Sequence, residues 1–433
     1  MKISKFIIIL IIVSCILFLF NYNLFNYLLS FIWYIATILI IYSSLKFSKR
    51  NKFIQFNLKK IFKSFKTKKN CKVNPLSSLC VSLAAKIGVG SLSGVALCLY
   101  YGGIGSIFWL IIFSLFMAIN TYMECLLGFE CREKIDNKYI GGPSFYINKK
   151  LKDKRLGILY SILIILTYGV FFLSIQSNTI VSTLRLFNIN DNYIVIMLSL
   201  IVLIVLIFGV KGILKINTIL VPLMLLFYFI LGIDVFIKYY YKMPIIFNKL
   251  LKDLLDIKKI FPAIMIGLQK SVFITESSLG TSAISASTCD NDPKNQALLE
   301  VSGIYIILFF VCLVTFVIIS TSNYDSIEFN NINGIEILIY AFKFHFGNRG
   351  IINLSIVTVL FALSTIISSY FFVESNLKIY FGNKFNVIFK LLFLLIVIGS
   401  CFINANILWN LCDLFMAFLI IINVSSILKI YKN

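Results

Sequence analysis

Two segments rich in glycine, serine and threonine interrupt apolar stretches of the chain, and their backbone groups could bind a small charged solute. Residues 88–94 read GVGSLSG and residues 275–282 read TESSLGTS. Glycine and serine both weaken a helix, glycine by up to about 1 kcal/mol relative to alanine. Unwound backbone inside a bilayer is tolerated only where it is buried in protein or lines a cavity. Its free N–H groups can then bind an anionic group, and its free carbonyls a cation.

Close packing of helices is the alternative explanation for these small residues, because glycine or serine at i and i+4 lets two backbones approach. The first segment alone fits packing and binding equally well. Two such segments in matching positions are the pattern expected of transporters built from inverted repeats. The pair therefore favours a binding site between two broken helices.

Two ionisable side chains lie close to these segments. Lys86 is about ten residues into its apolar stretch, or about 15 Å along a helix axis, which is near the middle of a bilayer. At helical spacing it shares a predicted polar stripe with Ser78, Ser82 and Ser93. Glu276 lies within the second segment. Because a charge at this depth costs a few kcal/mol, Lys86 and Glu276 are predicted to face the protein interior and to have a functional role.

Three other acidic residues, Glu300, Glu374 and Asp413, fall near the ends of apolar stretches or at turns that face loops. At such positions a carboxylate can reach a basic partner. We therefore predict structural pairs for these residues rather than a role in transport.

The overall composition identifies the class of protein that contains these segments. Of the 433 residues, 60% are hydrophobic and 13% are charged, and the mean hydropathy is +0.95. A soluble domain requires more charged surface than this. The sequence therefore predicts an all-α polytopic membrane protein without a separate soluble domain.

Apolar runs of about 20 residues recur along the chain, and each is long enough to cross a hydrocarbon core roughly 30 Å thick. The predicted spans cover residues 6–21, 29–46, 76–101, 104–128, 156–184, 193–209, 216–237, 261–285, 299–320, 352–377, 385–402 and 405–428. The first span resembles a signal sequence but lacks a small-residue cleavage site, so we predict a retained anchor.

The net charge of +22 is distributed asymmetrically along this topology. With the N-terminus inside, the predicted cytoplasmic connections are 47–75, 129–155, 210–215, 286–298 and 378–384. Together with the termini they hold most of the Lys and Arg residues, as the positive-inside rule requires. Both termini are therefore predicted to be cytoplasmic. The protein is predicted to reside in the plasma (inner) membrane. Basic and aromatic residues are not interleaved on one polar surface, so nucleic-acid binding is not predicted.

Two connections are predicted to contain surface helices. Residues 334–346, GIEILIYAFKFHF, alternate apolar and polar groups at helical spacing and are predicted to lie against the outer face. The basic segment 52–69 has interspersed Phe and Ile residues, which suits either the headgroup region of an anionic leaflet or a solvated charge run.

The remaining reactive residue types give little indication of catalysis. The ten cysteines contain no CxxC pair, and those inside apolar runs are predicted to be small buried hydrophobic residues. The single histidine, His345, lies in a predicted connection without a partner. Neither a resident cofactor nor an enzymatic activity is therefore predicted.

The positions of the two glycine- and serine-rich segments divide the chain into predicted units. Residues 1–75 form N-terminal anchor helices and a basic cytoplasmic loop, and residues 238–260 form an outer loop. Residues 76–237 and 261–433 form two five-helix repeats, each of which opens with a broken helix.

Several motifs resemble those of the alanine/glycine:cation symporter family, also called sodium:alanine symporters. Residues 82–109, SLAAKIGVGSLSGVALCLYYGGIGSIFW, are similar to the family pattern ALxATVGTGNIAGVAxAxxxGGPGAxFW. Residues 268–282, LQKSVFITESSLGTS, are similar to VQRGVFSNEAGLGSA. Further similar elements are GGPSFYI at 141–147, Gln-Ser-Asn at 176–178, FALSTIISSYFF at 361–372 and LWNLCDLF at 408–415. The chain is therefore identified as a divergent member of this family, within the amino acid–polyamine–organocation superfamily.

The resemblance implies a leucine-transporter-type fold, a five-plus-five inverted repeat with one or two extra N-terminal helices. In that fold the first broken helix binds the substrate carboxylate through backbone N–H groups, and the second binds the amino group. The implied substrate-binding residues are Gly88, Val89, Gly90, Ser91, Gln176, Phe273, Thr275 and Glu276.

The resemblance also implies a site for a co-transported cation, sodium or a proton. In this fold a sodium ion lies between carbonyls of the first broken helix and hydroxyls of the eighth core helix. The corresponding residues are Ala84, Ile87, Ser364 and Thr365. The implied partners are thus a small amino acid, a monovalent cation and the lipid bilayer.

The sequence departs from the family pattern within these motifs. The family's GTGN is GVGS at residues 88–91, and its FSNEAGLG is FITESSLG at residues 273–280. Lys86 stands where the family usually has a small or polar residue, and an ammonium there would repel a nearby cation. We hypothesise that Lys86 is a coupling residue that replaces the ion. Sodium dependence of uptake would then be low in the wild type and would return in Lys86→Thr.

The predicted function is secondary active transport, in which a small alanine- or glycine-like amino acid and a cation cross the plasma membrane by alternating access. The alternative is a non-transporting relative that binds a ligand as a membrane sensor or receptor. The lost side chains favour this alternative, and the lack of a predicted soluble signalling domain disfavours it. A membrane enzyme and a passive channel are disfavoured because neither clustered catalytic residues nor a filter sequence is recognisable.

Overall fold

The chain is almost entirely α-helical in a computed structural model that describes residues 2–66, 73–135, 138–324, 334–381, 384–403 and 405–432. The first nine helices are α1 Lys2–Phe20, α2 Tyr22–Arg50, α3 Leu58–Ser64, α4 Pro75–Lys86, α5 Val89–Gly102, α6 Ser106–Cys131, α7 Pro143–Lys150, α8 Lys154–Leu166 and α9 Leu173–Leu184. The others are α10 Asp191–Tyr239, α11 Met243–Leu255, α12 Ile257–Thr275, α13 Thr281–Ala286, α14 Pro293–Ile307, α15 Val314–Thr321, α16 Gly334–Phe346, α17 Asn348–Phe381, α18 Lys384–Ser400 and α19 Ala405–Ile430. Strands β1 Glu133–Ile135 and β2 Lys138–Ile140 pair as one antiparallel hairpin.

Within the described residues, eight helices are long and apolar enough to cross a membrane, and the count is nine if the bent pair α4–α5 is one span. Every predicted span is occupied by helix, although α1 and α18 contribute only short apolar runs, Ile7–Phe20 and Ile388–Ser400. The predicted class, an all-α polytopic membrane protein, is confirmed. The chain is thus a multi-pass membrane protein.

The first predicted interruption is present but shorter than predicted. Helix α4 ends at Lys86, α5 begins at Val89, and the axes of the two helices differ by 48°. Only Ile87 and Gly88 lie outside a helix. The predicted break is therefore present and limited to its first residue and the residue before it, while the other small residues of 88–94 lie inside α5.

The second interruption covers residues 276–280, between α12 and α13, and agrees with the predicted position. Its backbone is left-handed at Glu276, Ser278 and Gly280, with φ of 49°, 77° and 91°. Such conformations are unfavourable for residues other than glycine and persist only where surrounding contacts hold them.

Helix α10 contains the boundary between two predicted spans, 193–209 and 216–237. Gly209 has φ 61° and ψ −165°, a conformation outside the helical region that glycine adopts without a Cβ penalty. The chain therefore bends at Gly209, as the predicted short connection at 210–215 requires.

Two predicted surface segments differ from their prediction. The predicted outer loop 238–260 is largely helical, because it contains α11 and the start of α12. The predicted helix at 334–346 is present as α16, but about half of it is buried, and Gly334 packs against the backbone of Ser93. Its His345 has partners, contrary to prediction, since Nε2 lies 2.8 Å from the Ile318 carbonyl oxygen.

Parts of the predicted cytoplasmic connections lie outside the described residues. These parts are 67–69 of the basic segment 52–69, 136–137 of the connection 129–155 and 382–383 of the connection 378–384. Within the basic segment, α3 buries Ile61 and Ser64 and exposes Phe62.

Candidate functional site

The first interruption brings five of the predicted site residues together, and we call Ala84, Gly88, Gln176, Ser364 and Thr365 the hydroxyl site. Thr365 Oγ1 donates to the Ala84 carbonyl at 2.9 Å, and Ser364 Oγ lies 3.5 Å from the same oxygen. A Cβ on Gly88 would lie 2.6 Å from Thr365 Oγ1 and 3.1 Å from both polar atoms of the Gln176 side chain. The broken end of α4 is therefore in contact with α9 and α17.

The N-terminus of α5 is capped by a side chain from α9. Gln176 Oε1 accepts the Val89 N–H at 3.0 Å, which satisfies one of the donors that a helix start leaves unpaired. Ser91 Oγ donates back to the Gly88 carbonyl at 2.7 Å. The N–H of Val89, predicted to bind substrate, is thus occupied by Gln176 in this conformation.

The carbonyl of Ile87, predicted as a cation ligand, forms no hydrogen bond with Ser364 or Thr365 within the described residues. Ile87 is buried and its N–H donates to the Leu83 carbonyl. The hydroxyls of Ser364 and Thr365 contact the carbonyls of Ala84 and Phe361 rather than that of Ile87. The Ala84 carbonyl is thus the predicted ligand that accepts hydrogen bonds from this hydroxyl pair.

An aromatic wall lies on the other side of α5 and consists of Phe172, Phe273 and Trp409. The Phe273 ring stacks on Phe172 at 5.5 Å between centroids and meets Trp409 at 5.2 Å. A Cβ on Gly90 would overlap the Phe273 ring, so only glycine allows this approach. The predicted residues Gly90 and Phe273 therefore form one surface. Thr275, also predicted, is buried and donates to a carbonyl of its own helix.

A cavity of about 220 Å³ ends at this wall. Its lining includes Ser93, Asn178, Thr179, Glu336 and Trp409, which come from α5, α9, α16 and α19. Trp409 belongs to both the cavity and the aromatic wall. The cavity thus approaches the predicted substrate residues from the side of α16.

Four ionisable residues are buried together between α4, α6, α14 and the second interruption, and we call them the acid–lysine cluster: Lys86, Glu124, Glu276 and Glu300. Lys86 is 3% exposed and the three glutamates are 0% exposed. Lys86 Nζ donates to Ser282 Oγ at 2.8 Å and acts electrostatically on all three carboxylates. Burying this many charges is costly unless they are paired.

The predicted polar stripe around Lys86 is partly correct. Ser82 lies 3.4 Å from Ser282 Oγ, and Ser78 donates to the Ser285 carbonyl at 2.6 Å, so both serines and Lys86 face α13. Ser93 is not part of this stripe, because the interruption redirects α5 and places Ser93 against α16.

The three acidic residues predicted to form structural pairs have different environments. Glu374 pairs with Lys378 at 2.6 Å, as predicted. Asp413 interacts electrostatically with Lys270. Glu300 is fully buried in the acid–lysine cluster, where Lys86 acts on it electrostatically.

The second interruption is held by side chains from three other helices. Glu124 Oε2 accepts the Gly280 N–H at 3.1 Å, and Asn423 Nδ2 donates to the Ser278 carbonyl at 2.8 Å. Tyr160 donates its hydroxyl to the Leu279 carbonyl at 2.5 Å. These bonds replace the helical ones that the left-handed residues cannot make.

Further hydrogen bonds come from α6. Asn120 Nδ2 donates to Ser278 Oγ at 3.0 Å, and the hydroxyls of Thr121 and Ser277 are 2.8 Å apart. The unwound backbone is therefore satisfied from outside and forms a defined shape rather than a frayed helix.

Asn423→Ala should destabilise the protein through this network. The Asn423 amide also donates to Glu124 Oε2 at 3.0 Å, and its oxygen accepts from the Tyr146 hydroxyl. Each buried partner left unpaired costs about 1–3 kcal/mol, so we expect a clearly lower apparent melting temperature in detergent. Asn410→Ala is the control on the same helix, because Asn410 bonds to Tyr22 at the surface. Equal melting temperatures for the two variants would contradict the anchoring role of Asn423.

Sequence reasoning missed Glu124, Phe172, Trp409 and Asn423. For Glu124 a signal was present, since it is an acidic residue inside a predicted span. The other three are typical of apolar helices or helix ends, and no spacing pattern in the sequence distinguishes them.

Comparison with known sequences decides which family this arrangement belongs to. The profile of the sodium:alanine symporter family matches residues 19–433. The chain belongs to the sodium:alanine symporter family. The family predicted from the motifs is therefore confirmed.

Individual relatives within this family are distant in sequence and similar in length. An uncharacterized transporter of Haemophilus influenzae is 28% identical over 92% of this chain and 86% of its own length. The amino-acid carrier protein AlsT of Bacillus subtilis is 26% identical over 95% of this chain and 91% of its own length. The sodium/alanine symporter AgcS of Methanococcus maripaludis is 26% identical over 79% of this chain and 78% of its own length.

Two of the motifs that resemble the symporter family meet at the second interruption. A Cβ on Gly280 would overlap Pro143 and the Tyr160 hydroxyl, and a Cβ on Gly142 would lie 2.6 Å from Ile284 Cγ1. The GGPSFYI and TESSLGTS segments therefore pack directly on each other, and glycine is needed at Gly142 and Gly280 for this contact.

Proposed function

We propose that this chain is a sodium-coupled symporter that carries a small neutral amino acid across the plasma membrane by alternating access. The observation that carries this proposal is the hydroxyl site. There, two buried hydroxyls from α17, a carbonyl from the end of α4 and an amide from α9 converge at the break between α4 and α5. Neutral oxygen ligands of this kind suit a monovalent cation.

The proposed amino-acid site lies between the start of α5 and the second interruption. Its residues are Gly88, Val89, Gly90, Ser91, Gln176, Phe273, Thr275 and Glu276. The first N–H groups of α5 favour a carboxylate, because they lack intrahelical acceptors and carry the positive end of the helix dipole. Gln176 would release the Val89 N–H to the substrate. The Phe273 ring lies against Gly90 at the start of α5, so its position would limit the size of the substrate side chain.

The positions of Lys86 and the hydroxyl site support sodium as a coupling ion. Lys86 contacts Ser282 on α13 and acts on three carboxylates, whereas Ser364 and Thr365 contact the Ala84 carbonyl. The ammonium therefore has its own counter-charges, and the hydroxyls remain available as ligands. Full sodium dependence of the wild type would contradict the hypothesis that Lys86 replaces the ion.

Alternating access requires two halves that move against each other. We propose that residues 76–237 and 261–433 are inverted repeats, with the broken pairs α4–α5 and α12–α13 in equivalent places. Both termini are proposed to be cytoplasmic. The cavity that ends at Trp409 would then be the access route on the outer side. Apart from the lost side chains in the family motifs, no feature of the described residues favours the receptor alternative, and the chain belongs to a family of symporters.

Binding of the proposed ligands should stabilise the purified protein. A ligand at 100 times its Kd adds about 2.7 kcal/mol of apparent stability. We expect L-alanine, glycine or L-glutamine to raise the melting temperature in sodium chloride and much less in choline chloride. Lithium chloride tests the size of the cation site. Uptake of the stabilising amino acid into proteoliposomes then separates a transporter from a receptor, since a receptor would bind without uptake.

A further inference from the structure

The acid–lysine cluster contains more carboxylates than its ammonium can neutralise. Glu124, Glu276 and Glu300 are fully buried, and Lys86 is the basic group that acts on all three. Unbalanced charge is unfavourable in a protein interior and more so inside a membrane. One ammonium balances one carboxylate, so the other two carboxyl groups require another positive charge.

Each of these carboxyl groups has one open oxygen. Oε1 of Glu124, Oε1 of Glu276 and Oε2 of Glu300 are buried, and no described residue forms a hydrogen bond with them. A proton bound to such an oxygen neutralises the group without any rearrangement of the surrounding helices.

Glu300 differs from the other two glutamates in its place in the fold. It lies inside the continuous helix α14, where Gln296 Nε2 lies 3.5 Å from its Oε1 and the hydroxyls of Ser78 and Ser82 act on its carboxyl group. In contrast, Glu124 Oε2 accepts two hydrogen bonds, from the Gly280 N–H at 3.1 Å and from Asn423 at 3.0 Å. Glu124 thus holds the backbone of the second interruption, and Glu276 lies within it, whereas Glu300 can gain and lose a proton without disturbing that backbone.

The geometry favours a proton over a metal cation at this cluster. Among the described residues no three carboxylate, imidazole or thiol groups converge closely enough to hold a metal ion. A proton requires only one carboxyl oxygen.

Hydroxyl groups lead from the cluster toward the ends of α4 and α13. We call this series the hydroxyl ladder, and its members are the hydroxyls of Ser78, Ser82, Ser282 and Thr288 and the backbone carbonyl of Ser285. Its steps are the contacts Lys86–Ser282 at 2.8 Å, Ser82–Ser282 at 3.4 Å, Ser78 to the Ser285 carbonyl at 2.6 Å and Thr288 to the same carbonyl at 2.8 Å. The series ends at Thr288, which is half-buried.

Glu300 is close to both this ladder and an exposed helix end. The hydroxyls of Ser78 and Ser82 lie beside its carboxyl group. Glu300 is seven residues after Pro293, or about 10 Å along α14, and residues 292–295 at that helix start are exposed. About 10 Å along α14 therefore separates Glu300 from exposed residues at this end of the bundle.

We propose that Glu300 carries a proton across the membrane together with the amino acid, a role that rests on the proposed symport function. The proton binds the Glu300 carboxylate from water on one side and is released to water on the other, so only one O–H bond forms and breaks. Sodium at the hydroxyl site and a proton at the acid–lysine cluster are then two separate coupling ions.

The groups that face Glu300 determine how its protonation responds to pH. They are Lys86 and Cys80 on α4, Glu124 and Cys125 on α6, and Cys289 after α13. Glu276, at the end of α12, interacts with the same Lys86. Helix α3 also packs on α14 but buries only Ile61 and Ser64, which do not titrate. Since protonation of Glu300 accompanies uptake, uptake should rise as the external pH falls.

The test uses the full chain in liposomes that contain a trapped pH-sensitive dye, with sodium equal on both sides. A mixture of L-alanine, glycine and L-glutamine is added outside. We expect the lumen of wild-type liposomes to acidify with uptake, and an inward proton gradient of one pH unit to raise uptake severalfold. Glu300→Gln should reduce acidification at least tenfold while exchange of labelled amino acid stays within about threefold of wild type.

Glu374→Gln is the matched control, since Glu374 is also buried but pairs with Lys378 outside the cluster. It should acidify like the wild type. Wild-type uptake without a change of internal pH overturns the proposal without any variant, as does acidification by Glu300→Gln at the wild-type rate. Loss of labelled sodium uptake rather than proton uptake in Glu300→Gln also overturns it, because the cluster would then bind sodium. Absence of both uptake and exchange in the wild type under every gradient contradicts the symport function itself.

Discussion

Thr365→Val is expected to raise the sodium concentration needed for half-maximal thermal stabilisation by roughly 10- to 150-fold. Valine keeps the shape of threonine and removes the Oγ1 that contacts the Ala84 carbonyl. An interaction between a charged group and one hydrogen-bonding partner contributes about 1.5–3 kcal/mol, and every 1.4 kcal/mol is a factor of about ten in affinity. The measurement is the melting temperature of purified protein as a function of sodium concentration, at a fixed concentration of L-alanine.

The same helix provides a control for this substitution. Thr358 is buried, and its hydroxyl has no partner within the described residues. Thr358→Val should therefore leave the sodium response unchanged. The Thr365 hydroxyl has one proton, which it shares between the carbonyls of Ala84 and Phe361. Removing this hydroxyl therefore costs about one hydrogen bond and should lower the melting temperature without sodium only modestly. A sodium response of Thr365→Val equal to that of Thr358→Val would exclude the hydroxyl site as the sodium site.

The two explanations for the first glycine- and serine-rich segment are both correct, but at different residues. Gly88 lies at the break, whereas Gly90 and Gly94, four residues apart, pack against Phe273 and Ile274 of α12. Composition indicated that the helix would be weak in this region. Composition could not indicate that α12 lies against this segment. The contact of α12 with Gly90 and Gly94 stabilises the helical backbone after Gly88.

The buried ionisable residues can be predicted from one rule: a charged residue in the middle of an apolar span should face the protein interior. Lys86 and Glu276 were identified because they flank the small-residue segments. Glu124 lies inside an equally apolar span and met the same criterion. Glu300 was assigned to a helix boundary because the sequence does not show that α4 and α6 cover its side of α14. Depth along a helix can be estimated from sequence, but neighbours cannot.

The helix in the outer segment 238–260 could not be predicted from the sequence because of the segment's charge. Residues 238–260 contain several lysines, which suggested a loop, yet α11 exposes Ile245 and Phe247 and buries Asp253 beside Lys259 at 2.8 Å. Lysine is a good helix former, and charged side chains are common on helices that lie at a membrane surface. The charge of a segment therefore does not distinguish a loop from an interfacial helix.

Gly88→Ala is expected to weaken the binding of both sodium and the amino acid. Gly88 lies beside Thr365, which is proposed to bind sodium, and beside Gln176, which is proposed to bind the amino acid. The added methyl group would lie 2.6 Å from Thr365 Oγ1 and 3.1 Å from the Gln176 amide. The backbone at Gly88 has φ −101°, which alanine adopts without strain, so the effect is confined to these contacts. Overpacking of this kind costs about 1–3 kcal/mol, which predicts roughly 5- to 150-fold weaker binding of sodium and of amino acid.

A second substitution separates the two effects of the added methyl group. Thr365→Ala removes the atom that the methyl group would strike, so the double variant Gly88→Ala/Thr365→Ala should regain part of its amino-acid binding while its sodium response stays weak. Gly399→Ala is the control for an added methyl group, since no atom lies within 4 Å of that position. If the double variant recovered neither ligand, the contact with Gln176 would be the dominant one. A Cβ on Gly88 must displace the side chain of Thr365 or of Gln176. If Gly88→Ala nevertheless bound both ligands like the wild type, the amino acid and the sodium ion could not both bind at the break at Gly88.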